Sequence, residues 1–165
     1  MDQAPDDDTL RELAATLGER LHAERHMLVT AESCTGGWIA KTMTDIAGSS
    51  DWFDCGLVAY SYEAKQAFLG VQPGTLEEHG AVSRETAVEM VSGALVHSGA
   101  TVAVAVTGIA GPGGGTRDKP VGTVWIAWKR RAGYTHAELF HFDGDREAVR
   151  RCTVKAALQG LDRLL

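Results

Sequence analysis

The segment TVAVAVTG, residues 101–108, is the part of the sequence that most clearly determines the fold. It is almost wholly apolar and rich in β-branched residues, and only its ends carry hydroxyl side chains. A strand that is apolar on both faces is typical of the centre of a sheet with helices packed on each side. We therefore expect residues 101–108 to form a central, doubly covered strand.

The segments on either side of this strand alternate between helical and strand patterns. Upstream, MLVTAE (27–32) and GLVAYS (56–61) are typical of strands, and apolar spacing predicts helices over about 10–21, 36–48, 62–70, 75–78 and from Ser83 onward. Downstream, GTVWIAW (122–128) and YTHAELFHF (134–142) predict an antiparallel pair, followed by a helix over about 145–165. The fold class is α/β, and we predict a single-domain three-layer α/β/α sandwich with a mixed sheet.

The first residues differ in composition from the remainder of the chain. Residues 1–8, MDQAPDDD, contain four aspartates and a proline, which predicts a disordered N-terminal tip before one domain over residues 9–165. Thr9 and Glu12 have the spacing of a capping box, which places the first helix start near Thr9. Gly48 is expected to lie near the C-terminal cap of the helix over 36–48.

Composition and charge exclude several classes of protein. The chain has 165 residues and a formal net charge of −6, which argues against nonspecific nucleic-acid binding. It has no apolar run of about 20 residues, so no membrane association is expected. Its three cysteines lack a CxxC spacing and its six histidines form no HExxH motif, so we expect neither disulfides nor a metal. These features are consistent with a cytoplasmic protein.

The stretch AESCTGG, residues 31–37, follows a predicted strand and opens a predicted helix. Ser33 at such a junction can serve as a nucleophile, with backbone N–H groups around Thr35, Gly36 and Gly37 stabilising an oxyanion. An ordinary helix cap explains the same residues, and Cys34 is a rival nucleophile. This stretch alone does not decide between these alternatives.

The stretch YSYEAK, residues 60–65, supplies a candidate base for such a serine. Lys65 lies early in a predicted helix just after a strand end, and burial can bring the pKa of a lysine toward neutrality. Tyr60 is expected to relay a proton or to orient the lysine. The alternative is that Lys65 is a solvated surface lysine, which is the common situation.

Two further segments are candidates for binding an anion. TGIAGPGGG, residues 107–115, has five glycines in nine residues after the central strand, so its backbone can approach a phosphate or carboxylate closely. Arg146 is predicted in the first turn of the last helix, where a cation opposes the helix dipole unless an anion lies opposite. A flexible surface loop and a salt bridge from Arg146 to Asp143 or Glu147 are the respective alternatives.

Several motifs in this order resemble those of one known family. The motifs AESCTGG, YSxEAK, GAVS, TGIAGPxGG, KPVGTVW and GDRxAVR are similar to those of the CinA C-terminal-domain family, the nicotinamide-nucleotide amidases often called PncC. The resemblance covers the chain from about Leu10 to its C-terminus. It implies a compact α/β sandwich of the stand-alone form, without a preceding molybdopterin-binding-like domain.

The resemblance also implies an activity and a set of site residues. The implied reaction is hydrolysis of the carboxamide of nicotinamide mononucleotide to nicotinate mononucleotide and ammonia, with no metal or cofactor. The family's nucleophile corresponds to Ser33, its lysine to Lys65 and its motif tyrosine to Tyr60. The family's Ser/Thr before GIAGP corresponds to Thr107 and its GDR arginine to Arg146. Together with the backbone donors considered above, the expected oxyanion-binding and substrate-binding residues are Thr35, Gly36, Gly37, Thr107, Gly108, Gly111 and Arg146. Tyr62 departs from the asparagine of many relatives, which affects the expected rim of the pocket.

Two other functions and one question of assembly remain open at this stage. The same loops suit a nucleotide-binding regulatory or competence-related module without turnover, or a hydrolase of another amide or ester. The expected partner is the small-molecule substrate nicotinamide mononucleotide, and we expect a homo-oligomer, a dimer or higher. Trp38, Trp52 and Phe53 favour a dimer interface if exposed and belong to the core if buried.

Overall fold

A computed structural model describes residues 3–165 of the chain. The described chain contains five strands, namely β1 (Leu28–Glu32), β2 (Phe53–Val58), β3 (Val102–Gly108), β4 (Thr123–Arg130) and β5 (Thr135–His141). The α-helices are α1 (Asp7–Ala23), α2 (Trp38–Thr44), α3 (Tyr62–Leu69), α4 (Pro73–His79), α5 (Arg84–Val96) and α6 (Arg146–Leu164). A short 3₁₀ turn spans Ser49–Asp51. No described helix has the length and apolar character needed to cross a membrane.

The strands form one mixed sheet in the order β2-β1-β3-β4-β5. Strands β1, β2 and β3 are parallel to one another, whereas β4 and β5 are antiparallel to their neighbours. Strand β3 is central, and its residues from Val102 to Thr107 are buried, which confirms the prediction made from residues 101–108. The single-domain α/β fold with a mixed sheet is therefore confirmed.

Each face of the sheet is covered by its own hydrophobic core. The valines Val102, Val104 and Val106 of β3 pack with the residues of α1, α2 and α6. The alanines Ala103 and Ala105 of the same strand point to the opposite face and pack with α3 and α5. The two cores follow from the alternation of side chains along a strand, and they produce the three predicted layers.

The N-terminus of the first helix lies earlier than predicted. Helix α1 begins at Asp7, and the carboxylate of Asp6 caps it by accepting a hydrogen bond of 2.8 Å from the Thr9 N–H. Thr9 is therefore not the cap, and Asp7 and Asp8 lie in the first turn, where acidic side chains complement the helix dipole. Of the predicted disordered tip over 1–8, residues 1 and 2 lie outside the described residues.

Two other boundaries differ from the predictions. Helix α2 ends at Thr44, and Gly48, with φ of 83°, begins the 3₁₀ turn instead of ending α2. Strand β2 ends at Val58 instead of continuing to residue 61. Just beyond its end, the carbonyl oxygens of Ala59 and Tyr60 accept hydrogen bonds from the Lys65 side chain.

The topology brings the ends of three parallel strands to one edge of the sheet. The connection from β1 to β2 runs through α2 on one face, and the connection from β2 to β3 runs through α3, α4 and α5 and passes β1. In open α/β sheets, ligands bind at the carboxyl ends of strands where the connections diverge in this way. The segments that follow β1, β2 and β3 contain Ser33, Lys65 and the glycine-rich loop (107–115) respectively.

Candidate active site

Ser33 and Lys65 meet at this edge of the sheet although they are 32 positions apart in the sequence. The Lys65 Nζ atom lies 2.8 Å from the Ser33 Oγ atom. Strand β1 ends one residue before Ser33, and the Ser33 N–H donates to the Val106 carbonyl of β3 at 3.1 Å, which fixes the backbone. Only 1% of Lys65 and 8% of Ser33 are exposed, so the pair is shielded from bulk water.

The hydrogen-bond partners of Lys65 determine how its neutral amine faces the Ser33 hydroxyl. Besides Ser33, its Nζ atom donates to the carbonyl oxygens of Ala59 at 3.0 Å and Tyr60 at 3.1 Å. Carbonyl oxygens can only accept, so a neutral amine directs its two N–H groups to them. The remaining lone pair then faces the Ser33 hydroxyl, which can donate its proton to Nζ.

Burial makes the neutral form of Lys65 accessible near neutral pH. Desolvation lowers the pKa of Lys65 from 10.5 to about 8, because the charged ammonium loses its hydration in the protein interior. Among the charged residues described, no carboxylate forms an ion pair with Lys65 that would oppose this effect. A lysine of this kind can act as a general base.

The turn after Ser33 leaves backbone donors available beside the hydroxyl. Gly36, with φ of 59°, and Gly37, with φ of 99°, adopt left-handed conformations that favour glycine. The Gly36 N–H donates to the Ser33 carbonyl at 3.0 Å and is therefore already used within the turn. Within residues 3–165, the N–H groups of Thr35 and Gly37 donate no hydrogen bond; Thr35 is fully buried beneath the turn, whereas Gly37 is partly exposed.

Glu32, the last residue of β1, holds this turn from the protein interior. Its fully buried carboxylate accepts hydrogen bonds from the Thr35 hydroxyl at 2.6 Å and the Thr30 hydroxyl at 3.2 Å. It also accepts from the N–H groups of Ile39 at 2.8 Å and Ala40 at 3.0 Å in the first turn of α2. The Thr35 side chain is therefore committed to Glu32 and is not available to a substrate.

Arg146 lies at the rim of the site and forms none of the predicted salt bridges. Its guanidinium donates to the Gly111 carbonyl at 2.8 Å and to the Tyr60 hydroxyl at 3.2 Å, and Glu147 pairs with Arg151 instead. Tyr60 therefore contacts Lys65 through its carbonyl, whereas its half-exposed ring faces Arg146. Arg146 has no carboxylate partner among the described ion pairs, so it can bind an anionic group of a ligand.

The glycine-rich loop is folded against its own continuation. A Cβ atom on Gly111 would lie 2.5 Å from the Val121 side chain, and one on Gly108 would lie 2.6 Å from Val124. Close packing thus explains these two glycines. The Thr107 hydroxyl is buried and donates to the Ala81 carbonyl at 2.8 Å, so this side chain ties the end of β3 to the preceding loop.

A cleft of about 660 Å³ is lined in part by Arg146. Trp38, Ala110, Val121, Arg146 and Arg150 are among its lining residues, whereas Ser33 and Lys65 are not. Arg146 thus lines the cleft and also contacts Tyr60, whose carbonyl accepts a hydrogen bond from Lys65. A ligand with a reactive group at Ser33 and an anionic group near the two arginines would extend from one region to the other.

Cys34, Trp38, Trp52 and Phe53 pack in or against the hydrophobic core. Cys34 is buried in the core, and desolvation raises the pKa of its thiol from 9.0 to about 12, so it is not a thiolate near neutral pH. Trp52 is buried, and Trp38 and Phe53 are partly buried against the same core.

Within the described chain, no group of three or more His, Cys, Asp or Glu side chains is arranged to hold a metal ion.

Comparison with known proteins places the chain in a family. A family model described as the CinA C-terminal domain matches residues 10–165. The chain belongs to the CinA C-terminal domain family. The resemblance found in the sequence motifs is therefore confirmed.

The relatives of this CinA C-terminal domain include stand-alone and longer proteins. It is 52% identical over 157 residues to nicotinamide-nucleotide amidohydrolase PncC of Escherichia coli (strain K12), which covers 94% of each chain. It is also 52% identical to nicotinamide-nucleotide amidohydrolase PncC of Pseudomonas putida, over 95% of this chain and 98% of that protein. A CinA-like protein of Geobacter sulfurreducens is 51% identical over 88% of this chain but only 35% of its own length.

Solved structures agree with the fold. The competence/damage inducible protein CihA from Agrobacterium tumefaciens has a TM-score of 0.93 and 47% identity, over 99% of both chains. A competence-damaged protein (CinA) superfamily protein from Enterobacter cloacae has a TM-score of 0.89 and 36% identity, over 100% of this chain and 99% of that one. Both similarities extend over nearly the whole domain.

The structure adds two residues that the sequence patterns did not identify. Glu32 is the last residue of the buried strand β1, and a charged residue inside such a strand is the signal that could have indicated its role. Arg150 follows Arg146 by four positions on α6, so the two lie on the same face of the helix. Arg150 donates to the carbonyl oxygens of Cys34 and Thr35, in the turn after Ser33.

Proposed function

We propose that this protein hydrolyses the carboxamide of nicotinamide mononucleotide, giving nicotinate mononucleotide and ammonia. The observation that carries the proposal is the buried contact of 2.8 Å between Ser33 and Lys65, beside a turn in which the Thr35 and Gly37 N–H groups donate no hydrogen bond within the described residues. The names of the relatives that share about half of its residues support the choice of substrate. A serine with an adjacent neutral amine is a suitable nucleophile for an amide carbon.

The first half of the reaction forms an acyl-enzyme. Neutral Lys65 accepts the Ser33 hydroxyl proton as the Ser33 oxygen attacks the amide carbon. The N–H groups of Thr35 and Gly37 stabilise the oxyanion, and the loss of one such donor typically costs about 2.7–4 kcal/mol of barrier. The Lys65 ammonium then returns the proton to the leaving nitrogen, so that the C–N bond breaks and ammonia departs.

The second half of the reaction releases the acid. Lys65, neutral again, takes a proton from a water molecule, and the resulting hydroxide attacks the ester carbon. The bond to the Ser33 oxygen breaks, and that oxygen recovers its proton from Lys65. The carbonyl oxygens of Ala59 and Tyr60 hold Nζ in place through both halves, which is the orienting role that we assign to Tyr60.

Arg146 and the glycine-rich loop are proposed to bind the ribosyl phosphate. Arg146 has no carboxylate partner among the described ion pairs, it donates to the Tyr60 hydroxyl, and it lines the cleft. A guanidinium matches phosphate oxygens with paired donors. The loop residues Thr107, Gly108 and Gly111 hold the backbone that faces Arg146 in position.

Ammonia release from nicotinamide mononucleotide by the purified protein tests this function. The wild-type protein is expected to release ammonia and nicotinate mononucleotide in equal amounts, and Ser33→Ala to release neither while its Tm is nearly unchanged. A protein that binds the nucleotide without releasing ammonia would instead support a regulatory binding module. Activity on other amides or esters alone would support a different hydrolase.

A further inference from the structure

Arg150 contacts the backbone of the turn that follows Ser33 at two consecutive carbonyl groups. Its Nε donates to the Cys34 carbonyl at 3.1 Å, and its Nη2 donates to the Thr35 carbonyl at 3.0 Å. The guanidinium also lies over the Trp38 ring, 5.1 Å from its centroid. Arg150 is partly buried, so these contacts hold the side chain in one orientation.

These two contacts fix the direction of the neighbouring N–H groups. In a planar trans peptide, the C=O and N–H bonds point in opposite directions. Because the Cys34 carbonyl points toward Arg150 on α6, the Thr35 N–H points away from α6. The Gly36 N–H is oriented in the same way by the Thr35 carbonyl, and it donates to the Ser33 carbonyl at 3.0 Å. Thr35 is thus left with a free donor among the described contacts.

We propose that Arg150 is a positioning residue that orients and strengthens the Thr35 N–H as an oxyanion donor. A cation on the Cys34 carbonyl polarises that peptide group, and linked hydrogen bonds of this kind strengthen one another. Arg150 acts through the backbone and does not need to touch the reacting atoms. This inference rests on the proposed function, since it assigns Arg150 a part in the same acyl-transfer step.

The competing role for Arg150 is direct binding of the substrate phosphate, because it lines the cleft together with Arg146. A fluorophosphonate probe separates the two roles. It phosphonylates an active-site serine with loss of fluoride, it develops negative charge on an oxygen in the transition state, and it carries no phosphate monoester. Loss of an oxyanion donor slows this labelling, whereas loss of a phosphate-binding cation does not.

Arg151 provides a matched control. Its guanidinium lies over the same Trp38 ring, 4.9 Å from the centroid, but it pairs with Asp7 at 2.6 Å and Glu147 at 3.0 Å. Arg151→Ala therefore removes a neighbouring cation of the same type and on the same ring, without removing a hydrogen bond to the turn.

The experiment measures the rate of Ser33 labelling by intact mass, together with kcat and KM for nicotinamide mononucleotide. Arg150→Ala and Arg150→Lys are both expected to lower the labelling rate and kcat by about 10–100-fold, somewhat less than the removal of a whole donor, with KM changed little. Lysine does not restore the rate, because its single ammonium cannot reproduce the planar fork. Arg151→Ala is expected to behave as wild type.

Two results would overturn the inference. One is labelling of both Arg150 variants at the wild-type rate, with or without a rise in KM for the nucleotide. The other is an equal slowing by Arg151→Ala, which would indicate a general effect of charge or packing. Failure of the proposed function would give a different experimental result. In that case Ser33 is labelled and the Arg150 dependence persists, but the wild-type protein releases no ammonia from the nucleotide.

Discussion

At the scale of single residues, the proposed role of Lys65 as a base rests on where the fold places its side chain. A lysine side chain is ordinarily charged and hydrated, but here its Nζ atom is surrounded by two carbonyl oxygens and a serine hydroxyl. The surrounding protein lowers the pKa of Lys65 to about 8 by desolvation. The position of Nζ and the protonation equilibrium therefore both favour transfer of the Ser33 proton.

The pH dependence of turnover follows from this pKa. The base must be neutral, and the neutral fraction of Lys65 grows as pH rises through about 8. We expect kcat/KM to rise about tenfold per pH unit below this value and to level off above it. A rate that instead falls as pH rises through this range would show that a protonated group is required.

Cys34 provides a contrast at the neighbouring position. Its thiol is buried, and desolvation raises its pKa to about 12. We expect Cys34→Ala to retain most of the wild-type kcat, with a modest loss of stability of about 1 kcal/mol or less from the smaller side chain. Steady-state kinetics and thermal unfolding check both statements. Loss of turnover in Cys34→Ala with activity retained in Ser33→Ala would reverse the assignment of the nucleophile.

At the scale of elements, the site depends on how β1 is joined to α2. The carboxylate of Glu32 in β1 accepts hydrogen bonds from two N–H groups in the first turn of α2. It also accepts one from the Thr35 hydroxyl, in the turn that joins β1 to α2. One buried side chain thus fixes the strand end, the turn and the helix start together. The Ser33 backbone lies between these fixed points.

Removal of the Glu32 carboxylate is expected to weaken both the fold and the site. Each buried donor left without a partner costs about 1–3 kcal/mol, so Glu32→Ala should lower the free energy of unfolding by roughly 3 kcal/mol or more. Glu32→Gln keeps an acceptor oxygen and should lose less. Urea unfolding of both variants checks this order. Equal stability of Glu32→Ala and the wild type would contradict the role assigned to this residue.

The packing of α5 against α3 supports the site from the other face of the sheet. A Cβ atom on Gly93 of α5 would overlap the carbonyl oxygen of Leu69, at the end of the helix that carries Lys65. Gly93→Ala should therefore displace α3 and cost about 1–3 kcal/mol, with a fall in kcat that exceeds the unfolded fraction. Gly74→Ala, where a Cβ would meet no atom within 4 Å, is the matched control. Wild-type stability and kcat in Gly93→Ala would exclude this coupling.

At the scale of the whole molecule, the sequence patterns predict the layers of the fold better than they predict the side-chain contacts at the site. The apolar character of residues 101–108 suffices to predict a doubly covered central strand, because burial on both faces requires apolar side chains throughout. The end of β2 was predicted wrongly, because the hydrogen bonds from Lys65 to residues 59 and 60 arise only after folding. For the same reason, no local pattern indicates that Lys65 is buried or that Arg150 reaches the turn.

The absence of metal chemistry and the assembly state remain predictions for the whole molecule. A serine–lysine mechanism needs no metal ion, so extensive EDTA treatment should leave the rate of ammonia release unchanged. A rate that collapses and returns on addition of a divalent ion would contradict this mechanism.

The expected homo-oligomer is checked by sedimentation equilibrium of the purified protein, where a monomer mass would contradict it.

Substitution of Lys65 is the most direct test of the central claim, because the proposed reaction depends on a neutral amine beside Ser33. The measurement is kcat for nicotinamide mononucleotide hydrolysis by Lys65→Arg and Lys65→Ala, with folding verified by circular dichroism. Both folded variants are expected to lose at least about 10²-fold in kcat, since a guanidinium keeps its proton and alanine has no base. Substantial turnover by Lys65→Arg would show that Lys65 contributes charge and not proton transfer, and it would contradict the account.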